Sequence, residues 1–383
     1  MKKIFRLKKI FILGLLLTFS CTQDLIIKNY FPVEQGIEMF GKVPQRDFYE
    51  DAEITDSLQL LWEAQTNGSH SNTSLIVNKK FVFIGDLSGR IYGFDTYSGK
   101  SFGYYKYSGE IPVAPIINKL RIYFIVNVKK EKYSLFIMKD LTDGKTISEE
   151  KINGSISNEM LKLNDGIIVI TDNGEVLKFN FGGEKIWQCD TKVTTHSSPA
   201  SNGEIIVFGN DRGILFFVSA TNGKILHRQK ISDYIIGNIT IDNKYIYFSD
   251  YSGTLYNFDM VNKKIVWKFN TKTKITSVPV FNNENIFVGN LSGKIYSIKK
   301  VDGKLNWSIN TNGIINTTPL LLKNFLIQPD YNRKIYFINP FDGRILKTIN
   351  YEARLKLTPV YFDGILFFGI DRRILAYKTF NKN

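Results

Sequence analysis

One spacing constrains this chain more than any other feature of its sequence. From Ser197 to Tyr377 the same succession of apolar runs and turns returns every 40 residues. The first turn of each unit carries Gly213, Gly253, Gly293, Arg333 or Arg373, and the second turn carries Gly223, Lys263, Gly303 or Gly343. A proline after a small or β-branched residue recurs in the same phase, at Pro199, Pro279, Pro319 and Pro359. A chain with this period is an array of similar units and not a set of unrelated domains.

The content of one unit indicates its secondary structure. In the unit around Gly253, the apolar runs 246–249, 254–259 and 265–269 are separated by turn residues, and 238–241 precedes them. Short runs rich in Ile, Tyr and Phe between Gly, Asn and Asp turns are typical of strands in hairpins. Four such strands form one antiparallel blade. We therefore predict an all-β chain, a β-propeller of four-stranded antiparallel blades.

The number of blades follows from where the repeats begin and end. Seven complete units begin near Ser74, Pro115, Met160, Pro199, Ile239, Pro279 and Pro319. An eighth begins at Pro359, but the chain ends before its fourth strand. The missing strand has a counterpart at the other end, because Trp62 stands 12 residues before Ser74, as Trp187 stands before Pro199. We predict eight blades in a ring that is closed by the N-terminal strand completing the C-terminal blade, which removes exposed sheet edges.

Composition and charge restrict the kinds of partner that the chain can bind. The 383 residues include 29 Phe and 20 Tyr, which favour strands, and the formal net charge is +14. A basic chain can bind nucleic acid or anionic lipid. The lysines are scattered through the turns and form no cluster, so we predict no nucleic-acid partner.

The first 20 residues predict export. They combine a cationic start with the apolar run 10–17, which is too short to span a bilayer. The order Leu17-Thr18-Phe19-Ser20-Cys21 resembles a bacterial lipobox, which implies that Cys21 becomes the lipidated first residue of the mature chain. An ordinary signal peptide with an incidental cysteine is the alternative. Because Thr22 is not Asp, the resemblance further implies a lipid-anchored location at the outer membrane, facing the periplasm.

These observations predict four regions. Residues 1–20 are a lipoprotein signal peptide, and 21–57 are the lipidated N-terminus and a tether that packs partly against the side of the body. Residues 58–378 are the propeller, and 379–383 are a C-terminal tail.

The repeat motif resembles a known superfamily. The order Gly-x-Ile/Leu-Tyr-x-Phe-Asp, then Gly-Lys, Trp and Ser/Thr-Pro occurs at 89–95, 253–259 and 293–319, and it resembles the repeat of the pyrroloquinoline-quinone type propellers. Within that superfamily, eight blades behind a lipoprotein signal resemble the BamB family. That resemblance implies a non-catalytic scaffold that binds the periplasmic domains of the central subunit of the outer-membrane β-barrel assembly complex. The loops 192–198 and 232–238 match no family residue, so the partner-binding residues stay unassigned.

Two other functions are compatible with this fold. Quinone-dependent dehydrogenases resemble one another in a bound calcium ion, a catalytic Asp and an adjacent cysteine pair, whereas Cys21 and Cys189 are the only cysteines here. The acids sit at the turns, where capping explains them: Asp86, Asp211, Asp250, Asp330 and Asp371 near the first turn, and Asp95, Asp259, Asp302 and Asp342 near the second. His70, His196 and His227 lack metal-ligand spacing. We predict no catalytic, cofactor-binding or metal-binding residue. The third possibility is an envelope propeller that binds a glycan or another surface ligand through aromatic loops such as 102–107.

Overall fold

The structure, a computed structural model, describes residues 24–28, 30–32 and 36–382. Signal residues 1–20 and Cys21 therefore lie outside the described residues. Within them the chain forms 34 strands and one 3₁₀ helix, Lys129–Glu131, in eight radial sheets. Three strands precede the repeats: β1 Gly36–Ile37, β2 Tyr49–Glu50 and β3 Ile54–Gln65.

The blades follow one another in chain order, each from its inner to its outer strand. Blade 1 contains β4 Ile76–Asn78, β5 Phe81–Gly85, β6 Arg90–Asp95 and β7 Ser101–Lys106. Blade 2 contains β8 Ile116–Asn118, β9 Arg121–Val128, β10 Tyr133–Asp140 and β11 Thr146–Asn153. Blade 3 contains β12 Leu161–Leu163, β13 Gly166–Ile170, β14 Glu175–Phe179 and β15 Lys185–Asp190. Blade 4 contains β16 Ala200–Ser201, β17 Ile205–Gly209, β18 Ile214–Ser219 and β19 Ile225–Lys230.

The second half of the ring repeats this arrangement. Blade 5 contains β20 Ile236–Asp242, β21 Tyr245–Asp250, β22 Thr254–Asp259 and β23 Lys264–Asn270. Blade 6 contains β24 Val280–Phe281, β25 Asn285–Gly289, β26 Lys294–Lys299 and β27 Leu305–Asn310. Blade 7 contains β28 Leu320–Leu322, β29 Leu326–Pro329, β30 Lys334–Ile338 and β31 Ile345–Asn350. Blade 8 contains β32 Val360–Phe362, β33 Ile365–Ile370 and β34 Arg373–Asn381.

The predicted closure of the ring is confirmed. Strand β3 pairs antiparallel with β34 as the outer strand of blade 8, with Trp62 opposite Ala376 and Leu60 opposite Tyr377. The paired strands extend beyond the predicted limits 58 and 378, because Ile54 lies opposite Asn381. Blades 1 and 7 have a fifth strand that the repeat did not predict: β1 pairs with β4, and β2 pairs with β28.

Burial explains which runs became inner and outer strands. The second strand of a blade is buried on both faces, as in β13, whose five residues are all buried. Such strands read as continuous runs of Ile, Val and Phe. The outer strand faces solvent on one side, so β31 alternates between exposed and half-buried residues over its last four positions. The core lies between neighbouring sheets, where these apolar runs face each other.

The outer-strand tryptophans join adjacent blades. The indole N–H of Trp62 donates to the Thr96 carbonyl at 2.9 Å, and Trp267 and Trp307 make the same bond to the second turn of the following blade. A Cβ on the glycine of that turn would come within 2.5–2.8 Å of the indole, at Gly99, Gly223, Gly303 and Gly343. The glycine is therefore required where a tryptophan covers the turn. In blade 4 the tryptophan position holds His227, and the equivalent turn of blade 5 holds Lys263.

Candidate functional site

The two faces of the ring are built from different connections. We call one the connection face: it carries the segments that lead from each outer strand to the next inner strand, together with the first turns. The other is the hairpin face, which carries the second turns and the inner turns that join each inner strand to its neighbour. Antiparallel pairing fixes this division, because successive connections along the chain alternate between the two ends of a blade.

Residues 36–50, here called the hub segment, fill the centre of the ring at the hairpin-face end of the inner strands. They contact blade 1 through β1 and blade 7 through β2. Three further inner strands donate backbone N–H groups to the hub segment: Ile117 to Glu38 at 3.0 Å, Ser201 to Pro44 at 2.8 Å and Ile241 to Gln45 at 2.9 Å. Inner strands have unpaired backbone groups on their hub side. The hub segment supplies partners to many of them and is part of the folded body.

The described residues before the hub segment are also packed. Leu25 and Ile27 are buried between blades 1 and 2, where the Ile27 N–H donates to the Leu141 carbonyl at 2.8 Å. Phe40 and Phe48 are buried against each other in the hub segment. The sequence predicted a tether with partial packing at the side for this stretch. Leu25 and Ile27 lie at the side of the ring, whereas Phe40 and Phe48 belong to the hub segment, which has no strand period and bonds to the inner strands.

Arg46 is the most deeply buried charged side chain of the hub segment. Its guanidinium donates hydrogen bonds to the backbone carbonyls of Phe40, Glu159, Met160 and Pro199, which come from the hub segment and from blades 3 and 4. Burial lowers the pKa of Arg46 to about 10, which the nearby Glu159 carboxyl partly opposes. The side chain is still a cation at neutral pH, and it joins the hub segment to two blades.

A belt of polar side chains lies around the hub, near the starts of the inner strands. The Ser198 hydroxyl accepts from the Glu159 N–H at 3.0 Å, and the Asn238 amide oxygen accepts from the Ser198 N–H at 2.9 Å. Thr318 makes the same contact with the N–H of Val278. Each contact joins one blade to the next. The small or β-branched residue before proline in the sequence repeat therefore marks an interblade hydrogen bond.

Glu159 is the belt residue that titrates near neutrality. Its carboxyl accepts from the Ala114 N–H at 2.9 Å. Burial raises the pKa of Glu159 to about 7 from an ordinary 4.5, although hydrogen bonds and the charge of Arg46 oppose the rise. No sequence signal distinguished this glutamate, because its belt position holds Ala, Ser, Asn, Val or Thr in other blades.

Glu159→Gln is expected to remove one component of the pH dependence of stability. Between pH 4.5 and 7 the unfolded chain releases the Glu159 proton while the folded chain keeps it, so the free energy of unfolding falls as pH rises. The variant lacks this fall, and its stability relative to wild type should rise across that interval by up to about 3 kcal/mol. Urea unfolding of both proteins at a series of pH values measures the difference. A difference that does not change with pH would contradict the assignment.

The acids of the turns act as caps, as the sequence predicted. At Asp86 one carboxylate oxygen accepts from the N–H groups of Ser88 and Arg90, at 2.9 and 3.0 Å, and the other accepts from the Tyr92 hydroxyl at 3.0 Å. Asp250 and Asp330 repeat this arrangement, and the second-turn acids Asp95, Asp259, Asp302 and Asp342 accept turn N–H groups. Asp211 and Asp371 stand one residue later, at the tips of their turns.

The histidines and the second cysteine are separate. His70 is buried beside the Thr66 hydroxyl, His196 pairs with Asp211 at 2.8 Å, and His227 lies on outer strand β19. Cys189 is half-buried on outer strand β15, and burial raises the pKa of its thiol. Across residues 24–28, 30–32 and 36–382, no three His, Cys, Asp or Glu side chains come together in a group that could hold a metal ion.

The candidate binding stretches occupy different places. The loops 192–198 and 232–238 lie on the connection face, where the His196 imidazole and its backbone N–H contact Asp211. The aromatic stretch 102–107 was expected to be a loop, and this is wrong: most of it is outer strand β7, and the Tyr105 hydroxyl donates to the Leu25 carbonyl. Of its other rings, Tyr104 packs against Tyr92 and Tyr107 packs against Phe124.

A groove opens between blades 5 and 6 on the hairpin face. Its volume is about 710 Å³, and its walls include Tyr247, Asn257, Val301 and Phe341. The Asn257 amide oxygen is buried and has no hydrogen-bond partner among the described residues.

In the described part of the chain, no helix is long and apolar enough to cross a bilayer.

Comparisons with known proteins agree with this architecture. A family model described as outer membrane protein assembly factor BamB matches residues 128–273 and 252–348, which together cover more than half of the chain. The comparison with curated proteins found no match. Among solved structures, BamB from Moraxella catarrhalis has 16% identity over 84% of this chain and 100% of that chain, with a TM-score of 0.71. A quinohemoprotein alcohol dehydrogenase from Comamonas testosteroni has 10% identity over 91% of this chain and 81% of that chain, with a TM-score of 0.76. At these identities the structural likeness shows a shared fold.

Proposed function

Because this chain belongs to the family described as outer membrane protein assembly factor BamB, we propose that it is a non-catalytic scaffold of the outer-membrane β-barrel assembly machinery. It binds the periplasmic domains of the central barrel-insertase subunit. This proposal depends on the family match and not on the fold, because dehydrogenases have the same fold. The filled hub supports a scaffold role, because Arg46 and the hub segment occupy the centre with contacts that hold blades together.

The location follows from the start of the chain. Signal residues 1–20 are removed, Cys21 is acylated, and the protein is held at the outer membrane facing the periplasm. Asp24 stands three residues after Cys21, and three residues span at most about 10 Å. Since Leu25 and Ile27 are fixed between blades 1 and 2, the lipid holds that edge of the ring close to the membrane. The connection face remains available to the partner subunit, and the contacting residues stay unassigned.

Affinity purification from the native envelope tests both parts of this proposal. The wild-type protein is expected in the membrane fraction, from which the barrel subunit co-purifies with it. Cys21→Ala should move the protein to the soluble fraction and reduce the yield of the barrel subunit, while an exposed substitution such as Arg228→Ala should change neither. A wild-type preparation from membranes without the barrel subunit would contradict the scaffold function. Membrane association of Cys21→Ala and Cys21→Ser that is as strong as that of the wild type would contradict lipidation as the anchor.

A further inference from the structure

The second turns of three consecutive blades present apolar side chains to solvent. Val261, Val301 and Phe341 occupy equivalent positions 40 residues apart, at the tips of the second turns of blades 5, 6 and 7. Their exposed fractions are 69%, 82% and 65%, and Val301 has the largest value among the exposed large hydrophobic residues. Side chains this apolar and this exposed, repeated on one face, are typical of a surface that contacts a partner.

The tips on the opposite face differ in this respect. Tyr251, Leu291 and Tyr331 are the equivalent tips of the first turns in the same three blades, and all are half-buried. The preceding blade connection covers each of them, and its carbonyl accepts from the backbone N–H of the tip residue, as at Leu291 and Lys274 at 3.0 Å. Two connection residues on that face, Tyr234 and Ile314, are exposed. A row of uncovered apolar tips thus occurs on the hairpin face of blades 5 to 7.

Cations accompany these tips. The second turns of blades 5 to 7 carry six of them against three acids: Lys263, Lys264, Lys299, Lys300, Lys304 and Arg344 against Asp259, Asp302 and Asp342. Lys304 and Arg344 pair with the acids of their own turns, at 3.1 and 2.7 Å, and Lys300 pairs with Asp242 at the inner turn of blade 5, at 2.5 Å. Lys264 and Lys299 form no ion pair within the described residues. The rim is therefore apolar at its tips and positive beside them, which is complementary to an anionic lipid surface.

The start of the chain lies on the same face. Ile27 is bonded to Leu141 in the second turn of blade 2, and Phe31, four residues later, is 79% exposed. Blade 2 stands across the ring from blades 5 to 7. Apolar side chains on opposite sides of one face fit an extended flat partner better than a compact one.

We propose that the hairpin face rests on the membrane surface, with Val261, Val301 and Phe341 inserted among the lipid headgroups and the neighbouring lysines next to anionic phosphates. This inference rests on the proposed location, because a chain without a lipid at Cys21 would meet the bilayer only transiently. The face adds a second attachment beside the lipidated Cys21. It also directs the connection face away from the membrane.

Vesicle sedimentation with the mature chain, residues 21–383 carrying Cys21→Ser, tests this surface without an acyl chain or the signal peptide. We expect binding to vesicles of phosphatidylethanolamine and phosphatidylglycerol, and weaker binding to phosphatidylcholine alone. The triple variant Val261→Ser, Val301→Ser and Phe341→Ser should lower partitioning about ten-fold or more, because three apolar side chains no longer leave water. The control is Ile186→Ser, Leu226→Ser and Leu346→Ser, which removes apolar residues of the outer strands that are 47–52% exposed and should leave partitioning unchanged. Urea unfolding shows that both variants fold.

Several outcomes would overturn the inference. Absence of binding to anionic vesicles would do so, as would an equal loss in the two triple variants. A shift in oligomeric state that only the tip substitutions abolish would assign the face to a second copy of this chain. Loss of the barrel subunit from purifications of the tip variant, with unchanged vesicle binding, would assign it to a protein. If vesicle binding fails while the wild type still co-purifies the barrel subunit, the scaffold function stands without this surface.

Discussion

Replacing Arg46 with alanine is expected to lower the free energy of unfolding by about 3–5 kcal/mol. The substitution leaves four buried carbonyls without their donor and removes the cation that faces the Glu159 carboxyl. The hub segment also loses its connection to blades 3 and 4. We therefore expect local opening of the hub in addition to lower global stability.

Two measurements check this expectation. Urea unfolding at neutral pH gives the global change, and Arg228→Ala, an exposed arginine on outer strand β19, serves as the control with an expected change within about 0.5 kcal/mol. Hydrogen exchange gives the local change, because the N–H groups of Ser201 and Ile241 donate to the hub segment and should exchange faster in the variant. Arg46→Lys, which keeps the charge but not the fork of donors, should give an intermediate loss. If Arg46→Ala and Arg228→Ala unfold at the same urea concentration, Arg46 does not hold the hub.

Trp62→Ala is expected to cost a similar amount, about 3–5 kcal/mol, and to act at the closure of the ring. The Trp62 ring packs between Phe94 of blade 1 and Phe367 of blade 8, and its indole N–H donates to the Thr96 carbonyl. The substitution opens a cavity between the first and the last blade. Within blade 8, strand β3 is held to β34 by strand pairing and not by a hairpin, so the ring can open at this pair.

Trp187→Ala is the matched comparison for this variant. Trp187 has the same position in blade 3, but it is half-buried and its indole bond to the Ala220 carbonyl is longer, at 3.3 Å. We expect a smaller loss of stability for Trp187→Ala, together with unchanged resistance of 54–65 to limited proteolysis. In Trp62→Ala that segment should be cleaved faster. Equal losses in both variants, with equal cleavage, would show that closure has no special dependence on Trp62.

The blade architecture was predictable because a propeller repeats a local rule. The 40-residue period places the turns and the apolar runs, and each blade satisfies most of its hydrogen bonds within one stretch of chain. The closure could also be predicted, because Trp62 stands as far before its repeat as Trp187 does. Its sheet partner Ala376 nevertheless lies more than 300 residues away in the chain. The sequence also shows the link between a tryptophan and the glycine of the next blade. Where His227 replaces the tryptophan, Lys263 replaces the glycine.

The sequence by itself thus determined the eight blades, their order and their closure, because these depend on a pattern that is repeated and therefore visible in one chain. Only the tertiary structure decided what fills the centre and which turns remain uncovered. The hub segment has no repeat, and Gln45 meets Ile241 nearly 200 residues later, so no local pattern reveals the contact. Val301 and Leu291 are both apolar turn residues, yet a blade connection covers Leu291 and nothing in the described chain covers Val301. Burial of a turn depends on the neighbouring segments that pack over it, and these are defined only when the ring has formed.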